Sequence, residues 1–183
     1  TFLTSDINSV VSAEKAMQIL PDSGRSYSSS ITSRAARLDY PVAFASAGDY
    51  YVWVRGKSPS SGSNSLHVGI NNTLASSGTG INSSAASTVY AWFNRTSGGT
   101  VARITVPSAG LHTVNVWMSE DGLLFDKLLL TRESGFLPTQ LGPSQSDQGQ
   151  YTSYPVDSAP TLLNWSFDED PSYGKATNAI KKA

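Results

Sequence analysis

AGLHTVNVWMSEDGLLFDKLLLT, residues Ala109 to Thr131, reads as two strands joined by a tight turn. Ala109-Gly110 is a turn signal, and the residues after it alternate in polarity. Successive strand side chains fall on opposite faces, so His112, Val114, Val116 and Met118 share one face and Leu111, Thr113, Asn115 and Trp117 the other. Glu120-Asp121-Gly122 supplies the turn, and Leu124 to Thr131 returns. The returning strand carries one acid, Asp126, among Leu124, Phe125, Leu128, Leu129 and Leu130. A buried carboxylate is costly unless a cation or hydrogen-bond donors meet it, so Asp126 either points outward or has such a partner.

Working outward from this hairpin, further strand candidates are Ile7–Ala13, Asp39–Ala45, Asp49–Lys57, Asn64–Ile70, Ser87–Asn94 and Thr100–Val106. On Asp49–Lys57 the face of Tyr50, Val52 and Val54 opposes that of Tyr51, Trp53 and Arg55. Arg55 beside Trp53 reads either as a cation–π pair holding the sheet or as part of a concave binding face. Leu66, Val68 and Ile70 point inward, with His67 opposite. Between the strands, Pro21–Arg37 reads as a Ser-rich loop and Asn71–Ala86 as a polar segment. Short Gly/Ser turns and the absence of a long helical period predict an all-β fold, an antiparallel β-sandwich of jelly-roll topology from Ile7 to Thr131. After Gly142-Pro143 the pattern changes. Residues 1–143 read as the sandwich and 144–183 as a linker with a C-terminal extension, in which Thr161–Asp168 is apolar enough to add as a strand.

Composition narrows the function classes. Charged residues are 15% of the 183 and the formal net charge is −1, which provides no electrostatic footprint for nucleic acid or an anionic membrane. Cysteine is absent, which excludes disulfides, thiolate metal sites and a cysteine nucleophile. The apolar runs are shorter than a bilayer span. The first residue is Thr1, as expected of an excised domain or a processed chain, and the Ser/Gly/Thr/Asn-rich turns suit an extracellular, secreted protein.

The residues that carry chemistry point away from catalysis. No HExxH, GxSxG or P-loop pattern occurs, and the two histidines, His67 and His112, fall on different faces. Glu120 and Asp121 are adjacent, whereas glycosidic cleavage needs carboxyls on both sides of one bond. A non-catalytic carbohydrate binder needs aromatic faces for stacking and short polar groups for hydroxyls. Tyr90, Trp92 and Asn94 share one strand face, and Tyr27 and Asp121 stand on loops. The competing reading makes Trp92 a core residue, and the chain a structural, adhesive or filament-forming module that self-associates through its apolar C-terminal segment.

The hairpin pattern AG-x-HT-x-x-V-x-M-x-EDG-x-x-x-DK resembles the closing hairpin of galactose-binding-like β-sandwich modules. These include carbohydrate-binding module families 6 and 35 and the C-terminal accessory module of glycoside hydrolase family 115. The string from Ala47 to Gly56 is similar to their strand AG-x-Y-x-V-W-V-R-G, and Phe136–Pro143 resembles a Y-x-P-T-G-x-G-P tail, with Gln140 replacing its first Gly. Ser119 stands where such modules often have Arg. The resemblance implies a polysaccharide-binding module of an extracellular polysaccharide-active protein. It places the sugar surface around Trp92 with Tyr90, Asn94, Tyr27 and Asp121. Ser12-Ala13-Glu14 resembles the opening E-A-E of families 6 and 35, which implies a structural Ca2+ held by Glu14 and Asp126, with Ser12 replacing one acidic ligand.

Overall fold

The computed structural model describes residues 2–9, 12–84, 86–146 and 162–166, with side-chain surroundings for 16–84 and 86–146. In chain order the elements are β1 (Phe2–Ser9), β2 (Ser12–Ile19), the single-turn helix α1 (Ile31–Arg34), β3 (Arg37–Phe44) and β4 (Gly48–Lys57). There follow β5 (Ser65–Ile70), β6 (Thr73–Leu74), β7 (Ile81–Asn82), β8 (Ala91–Phe93), β9 (Arg95–Thr96) and β10 (Arg103–Val106). The closing hairpin is β11 (Gly110–Met118) and β12 (Leu124–Thr131), and β13 (Leu162–Ser166) comes last.

The strands form two antiparallel sheets. The first runs β1-β2-β12-β4-β10, with β8 beside β4 and β13 beside β12; the second runs β3-β11-β5-β7-β9, with β6 beside β5. Consecutive long strands change sheet, β2 to β3, β3 to β4, β4 to β5 and β11 to β12, and this alternation is the jelly-roll winding predicted above. The core lies between the sheets, filled by the inward residues of each strand: Tyr50, Val52 and Val54 from β4, Leu66 and Val68 from β5, Val114, Val116 and Met118 from β11. Burying each such Val, Leu or Phe side chain contributes about 1.5–3 kcal/mol.

β12 departs from simple alternation, and the departure places Asp126. Phe125 pairs with Gly56 and Lys127 with Arg55, so Asp126 is the extra residue of a β-bulge. The bulge lets Phe125, Leu128 and Leu130 all enter the core while Lys127, Leu129 and Thr131 take the other face. Gly56 opposite it has no room for a side chain, since a Cβ there would lie 2.9 Å from the Leu124 carbonyl oxygen.

Several boundaries differ from the sequence expectation. The strand expected over Ile7–Ala13 is divided between two antiparallel strands, Ser9 at the end of β1 pairing with Ser12 at the start of β2. Ser87–Asn94 contracts to β8, with Val89 exposed and only Phe93 buried. The polar segment after Ile70 holds β6 and β7. Its first reversal uses Asn71 and Asn72, both at positive φ (51° and 64°), the backbone of a primed two-residue hairpin turn. Within Thr161–Asp168, β13 pairs antiparallel with β12 from Lys127↔Ser166 to Thr131↔Leu162, and the remaining positions lie outside the described residues.

Candidate functional site

β2, β4, β7 and β11 all finish at one end of the sandwich, so the loops that follow them, 20–30, 58–64, 83–90 and 119–123, meet there. Backbone hydrogen bonds join the loops pairwise. Tyr27 N–H donates to Ser119 O (2.7 Å), Gly122 N–H to Ile19 O (2.7 Å), Ser83 N–H to Asn64 O (3.1 Å) and Ser87 N–H to Ser58 O (2.7 Å). Side chains add to these links: Asn64 N–H donates to Glu120 Oε2 (2.9 Å), Ser63 Oγ to Asp22 Oδ1 (3.2 Å), and the Ser58 and Ser83 hydroxyls bond to each other.

Asp121 is the knot of this end. It is 2% exposed, and both carboxylate oxygens are occupied. Oδ2 accepts from Ser23 N–H (2.8 Å) and Ser23 Oγ (3.0 Å), and Oδ1 accepts from Gly24 N–H (3.1 Å) and Arg25 N–H (2.9 Å). Burial alone would raise its pKa, but the bonds from Ser23, Arg25 and Gly24 outweigh it and hold the carboxyl below its ordinary value. Gly122 follows at φ +87°, so close to the 20–30 and 58–64 loops that a Cβ would stand 2.5 Å from Asp22 Oδ1 and 2.6 Å from Ser63 Oγ.

Tyr27 is half-buried and packs against the core, with the Arg34 guanidinium 5.9 Å from its ring centroid. Beneath its backbone lies a row across the outer face of the second sheet: Arg37 pairs with Trp117, and Trp117 with His67. The Arg37 guanidinium lies 5.8 Å from the Trp117 ring. His67 is 2% exposed; its Nε2 lies 2.9 Å from Tyr27 O, and its Nδ1 2.8 Å from the Gly80 nitrogen. The Gly80 N–H makes Nδ1 the acceptor, so Nε2–H donates to Tyr27 and the ring is neutral. Desolvation lowers the His67 pKa below 6.5, against the opposing pull of the Tyr27 carbonyl and Glu120.

Tyr90 and Trp92 are half-buried at the same end. The Arg55 guanidinium sits 5.0 Å from the Tyr90 ring centroid while its Nη1 forms an ion pair with Asp126, which is fully buried. Arg55 is thus a structural cation shared between an aromatic ring and the bulge carboxylate. Trp92, paired with Arg55 across β8 and β4, holds the tail: its Nε1–H donates to Gln140 O (3.1 Å), and a Cβ on Gly142 would lie 2.6 Å from its ring. Gln140 has φ +51°, a left-handed backbone at the position where the resembling motif has glycine. Asn94 is half-buried, and its backbone carbonyl accepts from Ala102 N–H (2.7 Å).

Tyr27 and Asp121 therefore share one part of the loop end, and Tyr90 and Trp92 lie beside β4. Asp121 is committed to the fold, and the three aromatics are each held by a named partner. Sequence reasoning missed the Arg55–Asp126 pair and the His67 link. The outward position of Arg55 and His67 on their strands was legible, but their partners come from a bulge and from distant loops. Of the two residues for which a metal was expected, Glu14 is on β2 opposite Ile7, and its side chain lies outside the described surroundings. Among the described residues no group of three or more His, Asp or Glu side chains could hold a metal ion.

A relative named "Uncharacterized protein P23", from Formosa agariphila, is 30% identical over 179 residues, covering 87% of this chain and 43% of that protein. The chain thus spans less than half the length of that curated relative. No solved structure matches significantly. Residues 7–145 match the model of the glycosyl hydrolase family 115 C-terminal domain, a stretch that begins in the first hairpin and ends just beyond the tail held by Trp92. The chain belongs to the glycosyl hydrolase family 115 C-terminal domain family, an accessory domain of a glycoside hydrolase rather than its catalytic domain.

Proposed function

We propose that this chain is a non-catalytic carbohydrate-binding module of an extracellular polysaccharide-active protein, and that it takes polysaccharide at the loop end of the sandwich. One observation carries the reading: three half-buried aromatics, Tyr27, Tyr90 and Trp92, stand at that end, each immobilised by a partner. Arg34 lies over Tyr27, Arg55 over Tyr90, and Gln140 accepts from Trp92. Pre-ordered rings lose little entropy when a sugar stacks on them. Asn94 and the loop serines are the candidate hydroxyl partners, and Asp121 serves by fixing the 23–25 turn. A stacked ring with a few hydroxyl hydrogen bonds of about 1 kcal/mol each gives weak binding, on the order of micromolar to millimolar.

A glycan microarray of plant and algal polysaccharides identifies a responsive glycan. Tyr27→Ala, Tyr90→Ala and Trp92→Ala, each checked for folding, then locate the site. At least one folded variant is expected to lose binding about tenfold or more, the loss of about 1.4 kcal/mol. Three folded variants that all bind like the parent would remove the site from this end.

The metal expected from the resemblance remains a proposal with a demanding donor set. A Ca2+ at Glu14 and Asp126 would compete with the Arg55 guanidinium for one carboxylate, and calcium takes six to eight oxygens. A melting temperature that falls on chelation supports an ion there; an unchanged one leaves Arg55 as the counter-charge of Asp126. The alternative role in assembly draws on β13, which seats the C-terminal segment against β12. If a second copy supplies that strand, apparent mass by light scattering rises with concentration and falls when residues 144–183 are removed.

A further inference from the structure

We propose that His67 is a positioning residue for the Tyr27 platform, and that through it acid releases the Tyr27 loop and weakens polysaccharide binding there. The binding half of this inference rests on the carbohydrate reading above; the anchoring half does not. His67 bridges two loops from a buried position. Its Nε2–H donates to the Tyr27 carbonyl, and its Nδ1 accepts from the Gly80 N–H. Only the neutral ring can do both. A proton added at Nδ1 turns the acceptor into a donor that faces the Gly80 N–H, so one loop must move or the buried N–H loses its partner.

The surroundings decide the direction of the effect. On β11 and the turn after it, the neighbours are Trp117 and Glu120, and only Glu120 favours the protonated ring. From the first loop comes Tyr27, with Arg34 of α1 over its ring; from β3 comes Arg37 over Trp117. Asp39 of β3 offsets the Arg37 charge through an ion pair (2.6 Å), so desolvation of the ring decides the balance. The 75–80 loop carries no charged side chain. With the imidazole buried, the balance favours the neutral ring, and its lowered pKa accords with that. A group whose folded pKa is depressed contributes stability that is complete above its unfolded value and is lost as pH falls through the folded one. The release therefore lies below pH 6.5.

Two measurements on the full chain test this. Nitrogen NMR of the His67 ring is expected to show the Nε2–H tautomer at neutral pH. It should also show titration below the ordinary value, with exchange of the Gly80 amide, corrected for its intrinsic rate, rising about tenfold for each unit crossed. Titration at or above the ordinary value, or Gly80 exchange indifferent to it, overturns the anchor. The second measurement is depletion of the protein by insoluble xylan, cellulose and agar at a series of pH values. Retention on whichever of these binds is expected to fall in the same window, and a folded His67→Gln variant is expected to bind with no such pH dependence. If retention needs Tyr27 but is flat in pH while His67 titrates, the coupling is wrong. If none of the three retains the protein while NMR behaves as expected, the sugar reading fails at Tyr27 and the coupling with it, and only the anchor stands.

Discussion

Asp121 and Asp126 stand five positions apart on the same hairpin, both buried and compensated by opposite means. At the turn, Asp121 is met by four dipoles, three backbone N–H groups and a hydroxyl, all from exposed residues 23–25. In the strand, Asp126 sits on a bulge with no exposure and is met by a full positive charge. The difference is one of failure. Water can replace Asp121 at the loop donors it leaves behind, but water cannot readily reach the carboxylate left when Arg55 is removed. The turn acid organises a loop, and the strand acid locks two strands.

The sharpest way to break the comparison is Arg55→Met. It leaves the Asp126 charge buried without its cation and is expected to cost about 3–5 kcal/mol in urea unfolding. The double variant Arg55→Met with Asp126→Leu removes both charges and should recover much of that loss, because paired burial is nearly neutral against an apolar pair. If the double variant is as unstable as the single, the cost is packing around Tyr90 rather than uncompensated charge.

Asp121→Ala should cost less, about 2 kcal/mol, since water takes over the loop donors. Its pH signature separates it from a packing defect. The folded pKa is depressed, so the stability it contributes is complete above 3.8 and disappears as pH falls through the lower folded value. The wild type and Asp121→Asn should therefore converge in stability at strongly acidic pH; a constant gap would discount the carboxylate's charge. Gly122→Ala probes the same turn from its backbone. The left-handed φ and the nearby Ser63 hydroxyl predict a loss of about 1–2 kcal/mol. Binding affected by more than stability would show that the turn shapes the ligand surface.

How far the sequence could be read depended on range. The β11–β12 hairpin was legible because polarity alternation and a Glu-Asp-Gly turn are local signals, and the inward faces of β4, β5 and β11 followed from alternation alone. The bulge was not, because a run from Leu124 to Leu130 that is apolar on both faces hides a one-residue slip. β6 and β7 were missed because strands this short carry no period, although Asn71-Asn72 does mark a hairpin turn. At the site, residue types were visible but partners were not. Asp121 looked available to a ligand because nothing local reveals that Ser23, Gly24 and Arg25, almost a hundred positions earlier, already occupy it. The role of His67 was hidden for the same reason, its two partners lying on separate loops.

The grip of Trp92 on the tail has a mechanical consequence. An indole that holds Gln140 and closes on Gly142 makes the departure of the chain from the sandwich a clamped joint rather than a free swivel. Pro143, with its fixed backbone angle, extends that stiffness by one residue. Strain that reaches Pro143 is thus passed to the edge of β8 and, through Arg55, to the interior of the first sheet, so the side chain proposed as a sugar platform also holds the joint where the chain leaves the closing hairpin.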